Sequence, residues 1–253
     1  MLCCIDVGNT NIVIGISMNE NWIAKWRIQT VKEKMPDEYA VLFKTLLAEK
    51  NISILDINKV IISTVVPQLK PTFNEMFRRY RGVNPIFLGP GIKSGIKIRT
   101  DNPKEVGADL VADAVAAYNR YQSGCIVVDF GTATTFSAIS SEAELLGVAI
   151  APGLEVSANA LSLKAAQLPM IDLIAPKNCI GTNTIDSLRS GIIYGYVGLV
   201  EGLVRRIKEV VGREASVIAT GGLSRIIAPL TNCIDEVDME LTLEGLKIIA
   251  EKN

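Results

Sequence analysis

One short pattern occurs twice in this chain and sets the terms for any fold. An apolar run ends in an aspartate, passes through a glycine turn, and resumes as a second apolar run. In the first copy, Met1 to Ile5 leads to the turn Asp6-Val-Gly-Asn-Thr-Asn11 and then to Ile12–Ile16. In the second, Cys125 to Val128 leads to Asp129-Phe-Gly-Thr-Ala-Thr-Thr135 and then to Phe136–Ile139. A polar turn and a further strand-like run follow each copy, Trp22 to Ile28 and Leu145 to Ile150. Each copy therefore reads as a three-stranded meander with a carboxylate at the tip of its first, buried strand. Duplication on this scale predicts two similar halves.

Between and after the meanders the apolar spacing turns helical. Residues 37–50, 103–121 and 184–210 read as helices, with Pro67 at the start of another and a final helix from about Thr242. Lys59–Val65 and Ala215–Ala219 read as buried strands. The expected fold is α/β, with a mixed central sheet flanked by helices in each of two lobes. The expected lobes are residues 1–120 and 121–253, divided where the helix ending at Tyr121 gives way to the second meander.

Composition narrows the chemistry. The formal net charge is −1 over 253 residues. That balance supplies no general field for nucleic acid or an anionic membrane, so an anionic ligand must be gripped locally. No histidine is present, which removes Ser-His-Asp catalysis and histidine metal sites and leaves a carboxylate as the natural base. The five cysteines are odd in number, largely within apolar runs and without CxxC spacing, as expected for reduced, buried thiols. No secretory signal is visible, and the longest apolar stretch, Gly191–Val200, is short of the roughly 20 residues a membrane span needs. A cytoplasmic protein is expected.

The turns themselves suggest phosphate. Gly8 permits close backbone approach, Asn9 and Thr10 add donors, and Asp6 can hold Mg²⁺ through water. Gly131, Thr132, Thr134 and Thr135 make a second hydroxyl-rich turn. Thr220-Gly-Gly222 after the 215–219 strand can let a purine or ribose lie against the backbone. Taken singly, each is equally readable as an ordinary turn, and Asp109 as a helix N-cap. Asp113, one turn beyond Asp109, reads as a solvated or interface carboxylate.

The order and spacing of the three turns resemble the actin, sugar kinase and heat-shock ATPase superfamily, which implies a duplicated, ribonuclease H-like fold. Within it, Asp6-Val-Gly-Asn-Thr-Asn11, Gly107-Ala-Asp109, Asp129-Phe-Gly-Thr-Ala-Thr-Thr135, Ala149-Ile-Ala-Pro-Gly153, Gly181-Thr-Asn-Thr184 and Thr220-Gly-Gly222 together resemble type III pantothenate kinase. That resemblance implies ATP-dependent phosphorylation of pantothenate to 4′-phosphopantothenate, the first step toward coenzyme A. It implies ATP contacts from Asp6, Val7, Gly8, Asn9, Thr10, Asn11, Ile12, Val13 and Thr132. Asp109 would be the general base, and Gly107, Ala108, Asp109, Leu110 and Thr184 would line the pantothenate pocket. Asp129 would hold a monovalent cation, K⁺ or NH₄⁺, alongside Mg²⁺ with ATP, in a homodimer.

Three positions depart from the family pattern: Leu110 where arginine is common, Thr100 where tyrosine is, and Val148 where a second glycine is usual. Two other readings stay open, a kinase of the same fold acting on another small hydroxy acid and a catalytically weak nucleotide-binding regulator. Asp129-Phe-Gly131 also spells a protein-kinase metal motif, but His-Arg-Asp and the strand lysine are missing. Gly89-Pro-Gly-Ile-Lys-Ser94 lacks the Gly-Lys-Ser/Thr ending of a P-loop.

Overall fold

Each apolar run that ends in an aspartate becomes the middle strand of a sheet. The structure, a computed structural model, describes residues 1–19, 21–165 and 167–253. It divides into two units, residues 1–96 with 101–116 and 241–253, and residues 97–100 with 117–240.

In the first unit, β1 (Leu2–Val7), β2 (Asn11–Met18) and β3 (Asn21–Gln29) form the antiparallel meander. Of the expected Asn19-Glu20-Asn21 turn, Glu20 lies outside the described residues, and Asn19 adopts φ +50°. Helix α1 (Pro36–Ala48) crosses to β4 (Lys59–Thr64), which pairs parallel to β1, and α2 (Leu69–Tyr80) leads to β5 (Ile86–Phe87) beside β4. The strand order is β3-β2-β1-β4-β5.

Strand alternation decides what lies on each side of β1. Cys3, Ile5 and Val7 join a core with Tyr39, Phe43 and Phe77 of α1 and α2. The ring of Phe43 meets that of Phe77 edge-on at 5.4 Å, and Tyr39 tilts over Phe73 at 5.0 Å. The opposite side of β1 carries Cys4 and Asp6, and Cys4 lies within the electrostatic reach of Glu244 and Lys247 on the final helix.

In the second unit, β6 (Lys97–Ile98) forms an added edge. Helix α3 (Ala108–Tyr121) begins in the first unit and ends in the second. The meander recurs as β7 (Cys125–Phe130), β8 (Ala133–Ile139) and β9 (Glu144–Pro152). Helices α4 (Leu154–Lys164) and α5 (Thr184–Val211) lead to β10 (Ser216–Thr220), parallel to β7. Helix α6 (Ser224–Ile227) precedes β11 (Glu236–Val237), parallel to β10. The order is β11-β10-β7-β8-β9-β6. Read from the meander, β9-β8-β7-β10-β11 repeats β3-β2-β1-β4-β5. Ile126, Val128 and Phe130 pack with Ile193, Val197 and Val200 of α5, which leaves Asp129 on the other side of its strand.

The chain ends in α7 (Leu241–Glu251). The lobe expected over 121–253 includes this helix, but in the structure it belongs to the first unit and packs on β1 and β4. Its buried Leu241, Leu243, Leu246 and Ile249 cover the sheet side that α1 and α2 leave open. The helix expected over 103–121 is shorter, because Pro103–Glu105 makes a 3₁₀ turn and extended Val106 interrupts the winding before Ala108. Likewise Pro67 precedes rather than opens α2, whose first residue is Leu69. No helix among the described residues is long and apolar enough to cross a membrane.

All five cysteines are free. Cys3, Cys4 and Cys125 are buried, Cys233 is half-buried and Cys179 is exposed. Burial pushes the Cys125 thiol up to about 12, and raises Cys3 and Cys4 well above the usual thiol range. Because the thiolate is the reactive form, a disulfide-exchange reagent at pH 8 is expected to label Cys179 rapidly. Cys3, Cys4 and Cys125 are expected to react only on unfolding, read as reagent uptake with and without denaturant.

Candidate active site

The first turn is held from behind by a residue remote in sequence. Gly8 N–H donates to Asn11 O at 3.0 Å, closing the turn on itself. Thr30, just past the end of β3, donates from Oγ1 to Gly8 O at 2.7 Å and from its N–H to Thr10 O at 2.9 Å. Val65 N–H donates to Val7 O at 3.1 Å. Asn9 and Thr10 are exposed at the tip, and Asp6 is half-buried at the strand end. Val7 and Ile12 are fully buried and serve the core.

The second turn follows the same plan with different supports. Gly131 N–H donates to Ala133 O at 3.1 Å, and Gly153 N–H donates to Thr132 O at 3.1 Å. A Cβ at Gly153 would collide with Thr132 O and stand 2.5 Å from Gly131 O, so only glycine allows the strand end to back this turn. Tyr196 on α5 places its hydroxyl 2.6 Å from Thr134 Oγ1 and 2.8 Å from Pro152 O, bracing β8 and β9 where the turn leaves them. Thr132 is exposed at the tip. Gly221, at φ +84°, lies against Asp129: a Cβ there would run into Asp129 Oδ1 and stand 2.6 Å from Phe130 O.

Asp109 is the second residue of α3, so it is not the helix N-cap. Its Oδ1 accepts from Leu110 N–H at 2.9 Å. Burial holds its carboxyl above the usual carboxylate range, and the bonds from the Leu110 and Asp109 N–H groups pull it part of the way back. A Cβ on Gly107 would strike Asp109 Oδ1, so glycine is required for the carboxylate to fold back over the helix start. Asp113 is not solvated: it is 1% exposed and accepts from Thr242 Oγ1. Thr184 is exposed at the start of α5, capped by Asn183, whose Oδ1 accepts from Asp186 N–H at 2.9 Å. Thr100 carries a buried Oγ1 with no hydrogen-bond partner among the described residues.

The oxygen atoms near the two turn aspartates suit hard cations. Beside Asp129, on adjacent strands, stand Thr135 and Thr220, and Thr135 Oγ1 is buried without a partner among the described residues. Phe130 O and the Asp129 carboxylate both border the space a side chain at Gly221 would fill. Beside Asp6 stands Ser63, whose Oγ is also buried and unpartnered. Carboxylate, carbonyl and hydroxyl oxygens fit a monovalent cation at Asp129, and a carboxylate at a strand end fits water-mediated Mg²⁺ at Asp6.

Sequence reasoning missed Thr30, Tyr196 and the Asp113–Thr242 pair. Each acts across the fold on an element distant in sequence, and no local spacing signals it.

Two sheets of matching strand order, each tipped by an Asp-x-Gly turn, define a protein of the actin-like ATPase and sugar-kinase class. The solved structure of (R)-2-hydroxyglutaryl-CoA dehydratase component A from Acidaminococcus fermentans superposes with TM-score 0.59 at 15% identity over 98% of this chain and 95% of that one. MreB 5 of Spiroplasma citri, solved with AMPPNP, gives TM-score 0.55 at 10% identity over 99% and 96%. The family profile described as type III pantothenate kinase matches residues 2–206. A type III pantothenate kinase of Citrifermentans bemidjiense is 48% identical over the full length of both chains. The chain belongs to the type III pantothenate kinase family.

The raised carboxyl of Asp109 has a stability consequence. The folded state binds this proton more tightly than the unfolded state, so ionisation lowers stability as pH rises through the ordinary carboxylate pKa and then the raised one. D109N keeps the Leu110 acceptor and removes the charge. Its urea midpoint is expected to exceed that of the unaltered protein at pH 7, with the difference shrinking as pH falls through the ordinary carboxylate pKa and both states become protonated.

Proposed function

We propose that this protein transfers the γ-phosphoryl group of ATP to the primary hydroxyl of pantothenate, giving 4′-phosphopantothenate and ADP on the route to coenzyme A, in the cytoplasm. Full-length kinship with type III pantothenate kinases supports the activity. The observation that carries the mechanism is the half-buried carboxylate of Asp109, raised toward neutral pH where a base works best.

ATP is met by residues 6–13 and by Thr132, with the exposed tips Asn9, Thr10 and Thr132 foremost. Asp109 accepts the hydroxyl proton as the new O–P bond forms. The bond from the γ-phosphorus to the bridging oxygen breaks in line, and ADP leaves. When bound, Mg²⁺ and K⁺ or NH₄⁺ neutralise phosphate charge; Asp6 holds the first through water and Asp129 the second. Gly107, Ala108 and Leu110 line the acceptor pocket around Asp109, and Thr184 contacts pantothenate. Leu110 supplies no charge where the family commonly has arginine, which favours one second reading, a kinase of another small hydroxy acid.

The homodimer belongs to the same reading. Gly191, Gly195, Gly198 and Gly202 fall on one side of α5, and a Cβ at any of them would meet no atom within 4 Å. Each glycine costs a helix roughly 1 kcal/mol relative to alanine, and a bare helix side lets a second backbone approach closely. We take this side as part of the contact between two copies.

D109N is expected to lower kcat for pantothenate-dependent ADP release by roughly 10²–10⁴-fold with KM for ATP little changed, and replacing K⁺ by Na⁺ to slow the unaltered enzyme. ADP release indifferent to pantothenate but stimulated by another hydroxy acid would move the assignment to the second reading. Separately, G195L is expected to shift a dimer toward monomer in sedimentation velocity; an unchanged sedimentation coefficient removes the α5 contact.

A further inference from the structure

Asp113 sits one turn beyond Asp109 on α3 and is 1% exposed. A carboxylate is seldom taken out of water without a dedicated partner. Its Oδ1 accepts from Thr242 Oγ1 at 2.7 Å, and Thr242 is the second residue of α7. One turn further along α7, a Cβ at Gly245 would collide with Ala112 O, so the two helices meet backbone to backbone at this point. The carboxylate thus lies at the N-terminal end of α7, where unpaired amides and the helix dipole favour negative charge.

Helix α7 is in turn seated on the sheet. It packs on β1 and β4, on the side of β1 that carries Cys4 and Asp6. Leu243 Cδ1 stands 3.0 Å from where a Gly15 Cβ would be, Trp22 Nε1 donates to Glu244 Oε1, and Lys59 Nζ donates to Ala250 O at 2.5 Å. One helix therefore supports both the strand that carries Asp6 near its end and the helix that carries Asp109 in its first turn.

We propose that Asp113 is a positioning residue for phosphoryl transfer. Its bond to Thr242 fixes the rotation of α3 on α7 and so aims Asp109 at the acceptor hydroxyl. Four residues of helix rise only about 6 Å, so a rotation at Asp113 is carried to Asp109 with little loss. A displacement of about 1 Å at a reacting group can cost about 10²-fold in rate. The inference rests on Asp109 being the base.

The test is steady-state kinetics with ATP and pantothenate. T242V, which removes the donor and keeps the shape, is expected to lower kcat about tenfold to a hundredfold with KM for ATP within about twofold, and T242S to recover most of the loss. The double variant T242V/D109N is expected to be no slower than D109N alone, since a misaimed base matters only while the base is present. A T242V enzyme with unaltered kcat beside a slow D109N, or losses that multiply in the double variant, would overturn the inference. A D109N enzyme at full rate would instead overturn the base assignment, and that single variant reports it whatever T242V does. Should T242V not fold, D113A and D113N replace it: asparagine keeps the acceptor and is expected to recover most of the rate lost in D113A. A D113N loss as deep as that of D109N would mark Asp113 as a second base and refute the positioning role.

Discussion

Each half of this protein is organised by a buried strand that turns alternate residues into a helix-packed core and carries an aspartate at its tip on the opposite side. Ile5 and Val7 point into the α1–α2 core, so Asp6 between them must point away from it. Val128 and Phe130 do the same for Asp129. The carboxylates are thereby fixed in direction by the same alternation that builds the core. A one-residue slip of register would turn the carboxylate into the helix-packed core and take Ile5 and Val7 out of it.

Around that constraint the supporting residues differ while the geometry repeats. Thr30, just past β3, holds the first turn with its N–H and its hydroxyl, whereas Gly153, at the matching place just past β9, holds the second with its N–H alone and is joined by Tyr196 of α5. What is preserved is the hydrogen-bond supply to the turn carbonyls, since an exposed loop keeps a defined shape only when its backbone groups have partners. The fixed turn then presents its tip, Asn9 and Thr10 in one case and Thr132 in the other. This arrangement is suited to phosphoryl transfer, where catalysis is mostly positioning and neutralisation of charge.

Asp109 shows the opposite compromise. Its burial disfavours the charged form, which costs stability at neutral pH, and the same burial makes it a stronger base. Gly107 lets the carboxylate fold back, and the Leu110 N–H keeps it from being left wholly unpaired. Asp113, a turn away and more deeply buried, has a hydroxyl partner and a helix end beside it. Two carboxylates of similar sequence context thus meet different surroundings, one open to an acceptor and one locked into structure.

The apolar runs, the repeated Asp-x-Gly turns and the spacing between them are local properties, and they determined the two meanders, the strand-end carboxylates and the kinase class. Alternation along a strand and turn chemistry act over a few residues, so a linear reading reaches them. The seating of α7 in the first unit, the burial of Asp113 and the bracing by Thr30 and Tyr196 were decided by tertiary structure alone. Thr242 and Asp113 are far apart in the chain, and nothing near either residue encodes the other. Whether a carboxylate on a helix is solvated or enclosed depends on which element covers that helix, and only the packed chain, through the close approach that Gly245 permits, supplies the answer.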